Sequence, residues 1–188
     1  MKKIYIVTTF TGTLLSCLIR NISKTPYAHV SIALNEYLRP MYSFGRLNPK
    51  TPIFAGFVEE NINEGLYAIR TNTMCRVYSL MVTERQYEKL KENIDNVSIN
   101  RKQYVYDVKA LVYLSVNKPR KKDYKYVCSH FVADMLKRSE INILDKEPHR
   151  VRPNDFYDLC DLELEYEGLL SNYYEKDKVH NIGDVVKI

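Results

Sequence analysis

Residues 128–138 read Cys-Ser-His-Phe-Val-Ala-Asp-Met-Leu-Lys-Arg, and their apolar side chains recur at the spacing of an amphipathic helix. We predict a helix that begins at Cys128, ends before Ile141 and buries one apolar face. That face consists of Phe131, Val132, Met135 and Leu136. Far upstream, residues 29–34 read His-Val-Ser-Ile-Ala-Leu, and this alternation predicts a strand that starts at His29.

A thiol at a helix start and an imidazole at a strand start are the two groups that a cysteine hydrolase requires. Unpaired N–H groups at a helix N-terminus favour the thiolate, and the backbone N–H of Cys128 is placed to stabilise an oxyanion. His29 is the best candidate base, because His130 points off elsewhere on the Cys128 helix. The remaining two histidines, His149 and His180, lie in charged, loop-like segments. The alternative is a buried structural cysteine and a polar strand end.

A histidine base normally needs a third group that fixes its ring. Residues 27–34 and 41–46 predict two strands of a β-hairpin, and centring the hairpin on Glu36 places Ser43 directly opposite His29. We therefore predict that Ser43 orients the imidazole.

A carboxylate is a stronger orienting group than a serine hydroxyl, and two carboxylates end the segment Gly-Phe-Val-Glu-Glu at residues 56–60. Glu59 or Glu60 is thus the alternative partner of His29. The competing interpretation of both is a solvated strand end.

Substrate contacts are predicted just before and after the thiol. The basic run at residues 118–125 would receive an anionic substrate or favour the thiolate, unless it is a solvated loop. We predict that Tyr124 and Tyr126 donate to a bound carbonyl and that Ser129 also contacts substrate. The alternative for the tyrosines is packing or surface exposure.

The remaining pattern alternates strands and helices. Strands are predicted over residues 3–9, 66–70, 74–82 and 162–166. Helices are predicted over residues 14–22 and 107–116. A further helix is predicted to begin at the capping sequence Thr83-Glu-Arg-Gln86, and a short helix at Pro153. We expect a single domain over residues 1–188, with residues 171–188 as a loose tail.

Composition narrows the class of protein. Of the 188 residues, 45% are hydrophobic and 27% charged, which is ordinary for a globular protein, and the net charge of +5 is too small and too local for a nucleic-acid partner. The four cysteines lack metal-like spacing, so we expect no zinc, disulfide framework or cofactor. Phosphate-binding glycine motifs do not occur.

The N-terminal residues resemble a lipoprotein signal that ends at Cys17, but threonines and a glycine interrupt the apolar run. We therefore expect a retained strand and helix and a cytoplasmic protein, with lipid anchoring through Cys17 as the alternative. No stretch approaches the ~20 apolar residues of a membrane span.

Three segments together resemble the circularly permuted papain-like hydrolases, which are relatives of the NlpC-type amidases and of the lecithin retinol acyltransferase branch. They are Tyr-Ala-His29-Val-Ser-Ile-Ala-Leu, Met41-Tyr-Ser-Phe-Gly-Arg46 and Tyr-Val-Cys128-Ser-His-Phe-Val-Ala-Asp-Met-Leu. The resemblance implies an α+β domain in which an antiparallel sheet presents the base and a packed helix carries the nucleophile. It also implies that a residue on the next strand orients His29. Val127 stands where the NlpC-type enzymes often have aspartate, which argues against peptidoglycan as substrate.

Three hypotheses follow for function. The first is a cysteine hydrolase that cleaves an amide bond in a small peptide or amide-linked acyl substrate, through a thioester on Cys128. The second is a lipid acyltransferase or esterase that makes peripheral contact with a membrane, where the basic run meets anionic headgroups. The third is an inactive binding module of the same fold.

Overall fold

The molecule is organised around an antiparallel sheet. The computed structural model describes residues 1–12, 26–48, 55–110, 122–157 and 159–173. Within these ranges the strands are β1 (Lys2–Phe10), β2 (His29–Ala33), β3 (Met41–Arg46), β4 (Ala55–Glu60), β5 (Met74–Val82), β6 (Val105–Tyr106), β7 (Lys125–Tyr126) and β8 (Glu163–Leu169). Six of these described strands form one sheet in the order β4-β3-β2-β1-β5-β8, in which every neighbouring pair is antiparallel, while β6 and β7 form a separate parallel pair.

Strand β1 lies inside the sheet, between β2 and β5, and it is buried on both faces. Its alternating side chains divide between two hydrophobic clusters. Ile4 and Ile6 belong to the larger cluster, whereas Tyr5 and Val7 belong to the smaller one on the opposite face. The sheet therefore separates two layers of packing.

The larger cluster contains the apolar faces of two helices, α2 (Glu84–Ile99) and α3 (Cys128–Arg138). Thr83 and Gln86 form the predicted capping box that starts α2. Phe131 of α3 packs on two strands, with its ring centroid 5.3 Å from that of Phe44 and 5.7 Å from that of Phe57. These aromatic contacts fix the start of α3 against β3 and β4.

The opposite face is covered by short elements. They are the helix α1 (Gly65–Ile69) and the 3₁₀ turn Leu170–Asn172, which contribute Tyr67 and Leu170 to the smaller cluster. Tyr173 is buried there too, so the predicted loose tail begins as packed chain. Residues 174–188 lie outside the described ranges.

Of residues 66–70, predicted as a strand, residues 66–69 belong instead to α1, and Arg70 caps its C-terminal end. The Asn61 side chain accepts from the Asn63 N–H at 3.1 Å and donates to Glu64 at 3.0 Å, which forms a turn before the helix. Gly65 then has a φ of +57°, a conformation that suits glycine. A five-residue apolar pattern was too short to distinguish a helix from a strand.

The other predicted elements agree with the structure where it describes them. The strands at 3–9, 74–82 and 162–166, the hairpin and the helices that follow Thr83 and start at Cys128 are present, and the short helix at Pro153 is a 3₁₀ turn. The predicted helix at 14–22, Cys17, most of the 107–116 helix and residues 118–121 of the basic run lie outside the described residues. No helix in the described part of the chain is long and apolar enough to cross a membrane. This chain has an α+β fold with an antiparallel sheet.

Candidate active site

Cys128 and His29 line the same cavity, which has a volume of about 70 Å³. Strands, the helix α1 and the start of α3 all contribute to its wall. The other described side chains that line it are Thr11, Ala28, Phe44, Gly45, Arg46, Ala55, Glu60, Leu66, Tyr67 and Tyr106. Two segments that are distant in sequence therefore converge as predicted.

Cys128 is the first residue of α3 and is 4% exposed. The residue before it, Val127, provides no side-chain cap, and the first helical hydrogen bond runs from the Phe131 N–H to the Val127 carbonyl. The N–H groups of the first turn therefore have no carbonyl partner within the helix. They are suited to stabilise negative charge on the thiolate or on a substrate oxygen beside it.

His29 is the first residue of β2, and its ring is bonded to a carboxylate. The Nε2 atom lies 2.9 Å from Oε1 and 3.2 Å from Oε2 of Glu60, and it is 3.2 Å from the Ser31 hydroxyl. The Ser31 hydroxyl itself donates to Oε2 of Glu60 at 2.5 Å. Because Nε2 is engaged in this way, Nδ1 is the ring nitrogen left for the Cys128 thiol.

The electrostatics of the site favour an ion pair between His29 and Glu60. Burial is the largest influence on the imidazole and lowers its pKa, but the Glu60 charge and the interactions with Cys128 outweigh burial and raise the pKa of His29 well above its ordinary value. For Glu60, burial acts in the opposite direction and raises the pKa of the carboxyl group. The charge of His29 and the hydrogen bonds from His29, Ser31 and Tyr67 outweigh burial and bring this pKa below its ordinary value. The site therefore favours a protonated imidazole beside an ionised carboxylate.

Tyr67 also supports the carboxylate, a role that was not predicted from the sequence. Its hydroxyl donates to Oε2 of Glu60 at 3.4 Å and lies 3.3 Å from the Thr9 hydroxyl. Helix α1 carries Tyr67, so the incorrect strand prediction for residues 66–70 concealed the contact. A turn sequence before a lone aromatic residue is too common a pattern to identify it.

The predicted pairing of Ser43 with His29 is wrong. The paired residues are Ile32 with Tyr42 and Ala33 with Met41, so the hairpin is centred on residue 37 and not on Glu36. The same register, continued along the strands, places Gly45 opposite His29 and Ser43 opposite Ser31.

The Ser43 hydroxyl is committed to the backbone, because it donates to the Val30 carbonyl at 2.7 Å. Glu60, the alternative partner, occupies the orienting position. A Cβ atom added at Gly45 would lie 3.6 Å from Cε1 of His29 and 3.7 Å from Oε1 of Glu60. These are ordinary van der Waals distances, so Gly45 lies directly against the ion pair.

The three predicted substrate contacts are not among the described residues that line the cavity. Tyr126 is buried in the core, where its hydroxyl donates to Asp134 at 2.5 Å and accepts from Arg138 at 3.0 Å. Ser129 is also buried and donates to the Val151 carbonyl at 2.6 Å. Tyr124 is exposed, with its ring against that of Tyr104. Proximity in sequence to Cys128 was a poor guide, because a helix turns successive side chains away from one another.

Two side chains that were not predicted line the cavity in their place. Tyr106 is half-buried; burial is the main cause that raises the pKa of its hydroxyl, and the charge of Cys128 adds to the effect. Arg46 lowers that pKa, which places the guanidinium within electrostatic range of the same hydroxyl. A polar group and a cation therefore stand close to the thiol.

No known family model matches the chain, and a comparison with curated proteins gives no match. No group of three or more His, Cys, Asp or Glu side chains suited to a metal ion occurs within the described ranges.

Proposed function

We propose that this chain is a cysteine hydrolase that cleaves amide bonds, with Cys128 as nucleophile, His29 as general base and acid, and Glu60 as the group that orients His29. The observation that carries the proposal is the 2.9 Å contact between His29 and Glu60 in a cavity that Cys128 also lines. A thiol at a helix start, an imidazole and a buried carboxylate form the nucleophile, base and orienting group of covalent catalysis.

In the acylation step the Cys128 sulfur, whose proton has already passed to His29, attacks the substrate carbonyl as a thiolate. The carbonyl oxygen gains negative charge, which the backbone N–H groups at the start of α3 stabilise. The imidazolium then donates its proton to the departing amine, the C–N bond breaks and a thioester remains on Cys128.

In the second step His29 takes a proton from water, and the resulting hydroxide attacks the thioester carbonyl. The C–S bond breaks, the acid is released and the Cys128 thiolate is left beside the protonated His29. Glu60 holds the ring orientation through both steps and stabilises the imidazolium, without itself taking up the proton.

We also propose that the chain has the permuted papain-like fold. Support comes from the chain order, in which the histidine strand precedes the cysteine helix, and from an antiparallel sheet that presents His29 while α3 packs against it. The orienting residue departs from the expected pattern. It lies on β4, two strands away from β2, and not on β3.

Labelling with an amide- or ester-based probe directed at thiols tests the function. We expect acylation of Cys128 in the wild type and its loss in Cys128→Ala and in His29→Ala. Cys160→Ala is the matched control, because Cys160 is exposed and remote from the cavity wall, and it should label as the wild type does. Wild-type labelling in Cys128→Ala would exclude the proposal, and circular dichroism of each variant would confirm that it folds.

A further inference from the structure

A second concave surface adjoins the catalytic cavity. This groove has a volume of about 370 Å³ and shares four side chains with the cavity, namely Arg46, Glu60, Leu66 and Tyr67. Because they share these side chains, the two spaces lie next to each other.

The groove offers both polar and apolar contacts. Apart from the shared residues, its charged and amide side chains are Glu59, Asn61, Glu64 and Arg101, and the apolar side chains Leu47, Phe57 and Val58 line it as well. A peptide-like chain can keep its hydrogen bonds on such a lining, whereas a purely apolar acyl chain would cover the charged groups without giving them partners. The groove therefore favours a substrate that carries polar groups.

Arg46 stands at the junction of the two spaces. It is the only lysine or arginine among the described residues that line the catalytic cavity. Its side chain is half-buried, and burial, followed by the charge of nearby Arg70, lowers the pKa of its guanidinium. A partly desolvated guanidinium gains more from a carboxylate than a solvated one does, and its planar fork suits bidentate binding.

The other charged groups limit where a substrate can carry negative charge. Glu60 is already committed to His29, and Glu59 and Glu64 would repel a carboxylate further along the groove. Within the catalytic cavity, negative charge is therefore favoured beside Arg46. The groove's own cation, Arg101, is exposed to solvent and shares the groove with Glu59 and Glu64.

Resting on the function proposed above, we infer that Arg46 determines specificity by binding a carboxylate of the substrate. The preferred substrate is a peptide-like amide that carries one carboxylate near the bond to be cleaved and continues as a neutral or cationic chain. This inference concerns recognition, and it adds no step to the chemistry of Cys128 and His29.

Two small alkylating reagents that differ in charge test this inference. The rate of Cys128 alkylation by anionic iodoacetate is divided by its rate with neutral iodoacetamide, and mass spectrometry resolves Cys128 from the other cysteines. We expect Arg46→Gln to lower this ratio by about tenfold, and Arg46→Lys to lower it less because the charge remains. An unchanged ratio in Arg46→Gln would overturn the inference.

Arg70→Gln is the matched control, because it removes an exposed cation near Arg46 that lines neither space. We expect its ratio to equal that of the wild type, and an equal fall in both variants would mean that the general field, and not Arg46, attracts the anion. Melting curves would verify the fold of each variant.

A measurement on the wild type alone makes the test independent of folding. We expect N-acetylglycine, which carries a carboxylate, to protect Cys128 from iodoacetamide, and N-acetylglycinamide to protect it far less. Equal protection by both, or protection by neither, would overturn the inference. A separate result would contradict the proposed function. It is a rate of Cys128 alkylation by iodoacetamide that is no higher in the wild type than in His29→Ala.

Discussion

At the scale of single residues, Glu60 carries the greatest weight after the catalytic pair. Its side chain is 17% exposed and that of His29 is 19% exposed, so water screens their interaction only in part. An ionised carboxylate at Nε2 fixes the ring and holds its proton, which leaves the other nitrogen for the thiol. The hydroxyls of Ser31 and Tyr67 keep the carboxylate itself in place.

Glu60→Gln tests that role. The amide removes the negative charge that raises the pKa of His29, so the pKa falls and the imidazolium loses its proton at lower pH. We expect acylation of Cys128 by an ester probe to slow by roughly a hundredfold or more, and the alkaline limb of its pH profile to move to lower pH.

Ser43→Ala serves as the comparison for Glu60→Gln, because the Ser43 hydroxyl bonds only a backbone carbonyl in its surroundings as described. We expect its acylation rate and pH profile to match those of the wild type. A loss of activity in Ser43→Ala, with Glu60→Gln unaffected, would return the orienting role to the serine.

The sequence predicted Cys128 and His29 because each begins an element with a clear period, and such starts can be located from local pattern. Glu60 was only the alternative prediction, because the first choice, Ser43, depended on the register of the hairpin. Moving the hairpin centre by one residue, from 36 to 37, shifts the residue opposite each position of β2 by two. Arg46 and Tyr106 could not be found from their neighbours in sequence. They reach the cavity only through the pairing of distant strands.

At the scale of elements, α2 supports the layer that holds the nucleophile. Leu90, Ile94 and Val97 of α2 are buried in the cluster that also contains the apolar face of α3. The periodicity of both helices predicted them correctly, and the capping box marked where α2 begins. Helix α1 was missed because one turn of helix is stabilised mainly by its tertiary contacts.

Thr83→Ala tests the cap of α2 independently of the chemistry. The variant removes the side chain that accepts from the Gln86 N–H at 3.2 Å, and we expect a loss of about 1 kcal/mol in the free energy of unfolding. Urea denaturation measures this loss, and Thr83→Ser is the control that should retain most of the stability. Thr83 does not line the cavity, so acylation of Cys128 in folded Thr83→Ala should be unchanged. A free energy of unfolding equal to that of the wild type would contradict the capping role.

At the scale of the whole molecule, the residues of the proposed catalytic site are divided between the strands of the sheet and its helical layer. Strands β2 and β4 present the imidazole and the carboxylate, while α3, packed on the sheet, brings the thiol to the same cavity. The α+β class was expected from the resemblance to the permuted papain-like hydrolases, and the separate strands and helices were expected from their periodicity. The order of the strands, and hence the reach of Glu60 across β3, could not be predicted, because it depends on long-range pairing that no local pattern encodes.

The most direct test of the account is a nuclear magnetic resonance titration of the His29 ring, assigned by its absence from the spectrum of His29→Ala. Both Glu60 and Cys128 raise the pKa of this imidazole. We predict that wild-type His29 remains protonated well above its ordinary pKa of about 6.5, and that Cys128→Ala moves its titration to lower pH. If His29 titrates at its ordinary pKa, with no change in Cys128→Ala, the imidazole and the thiol do not form a catalytic pair.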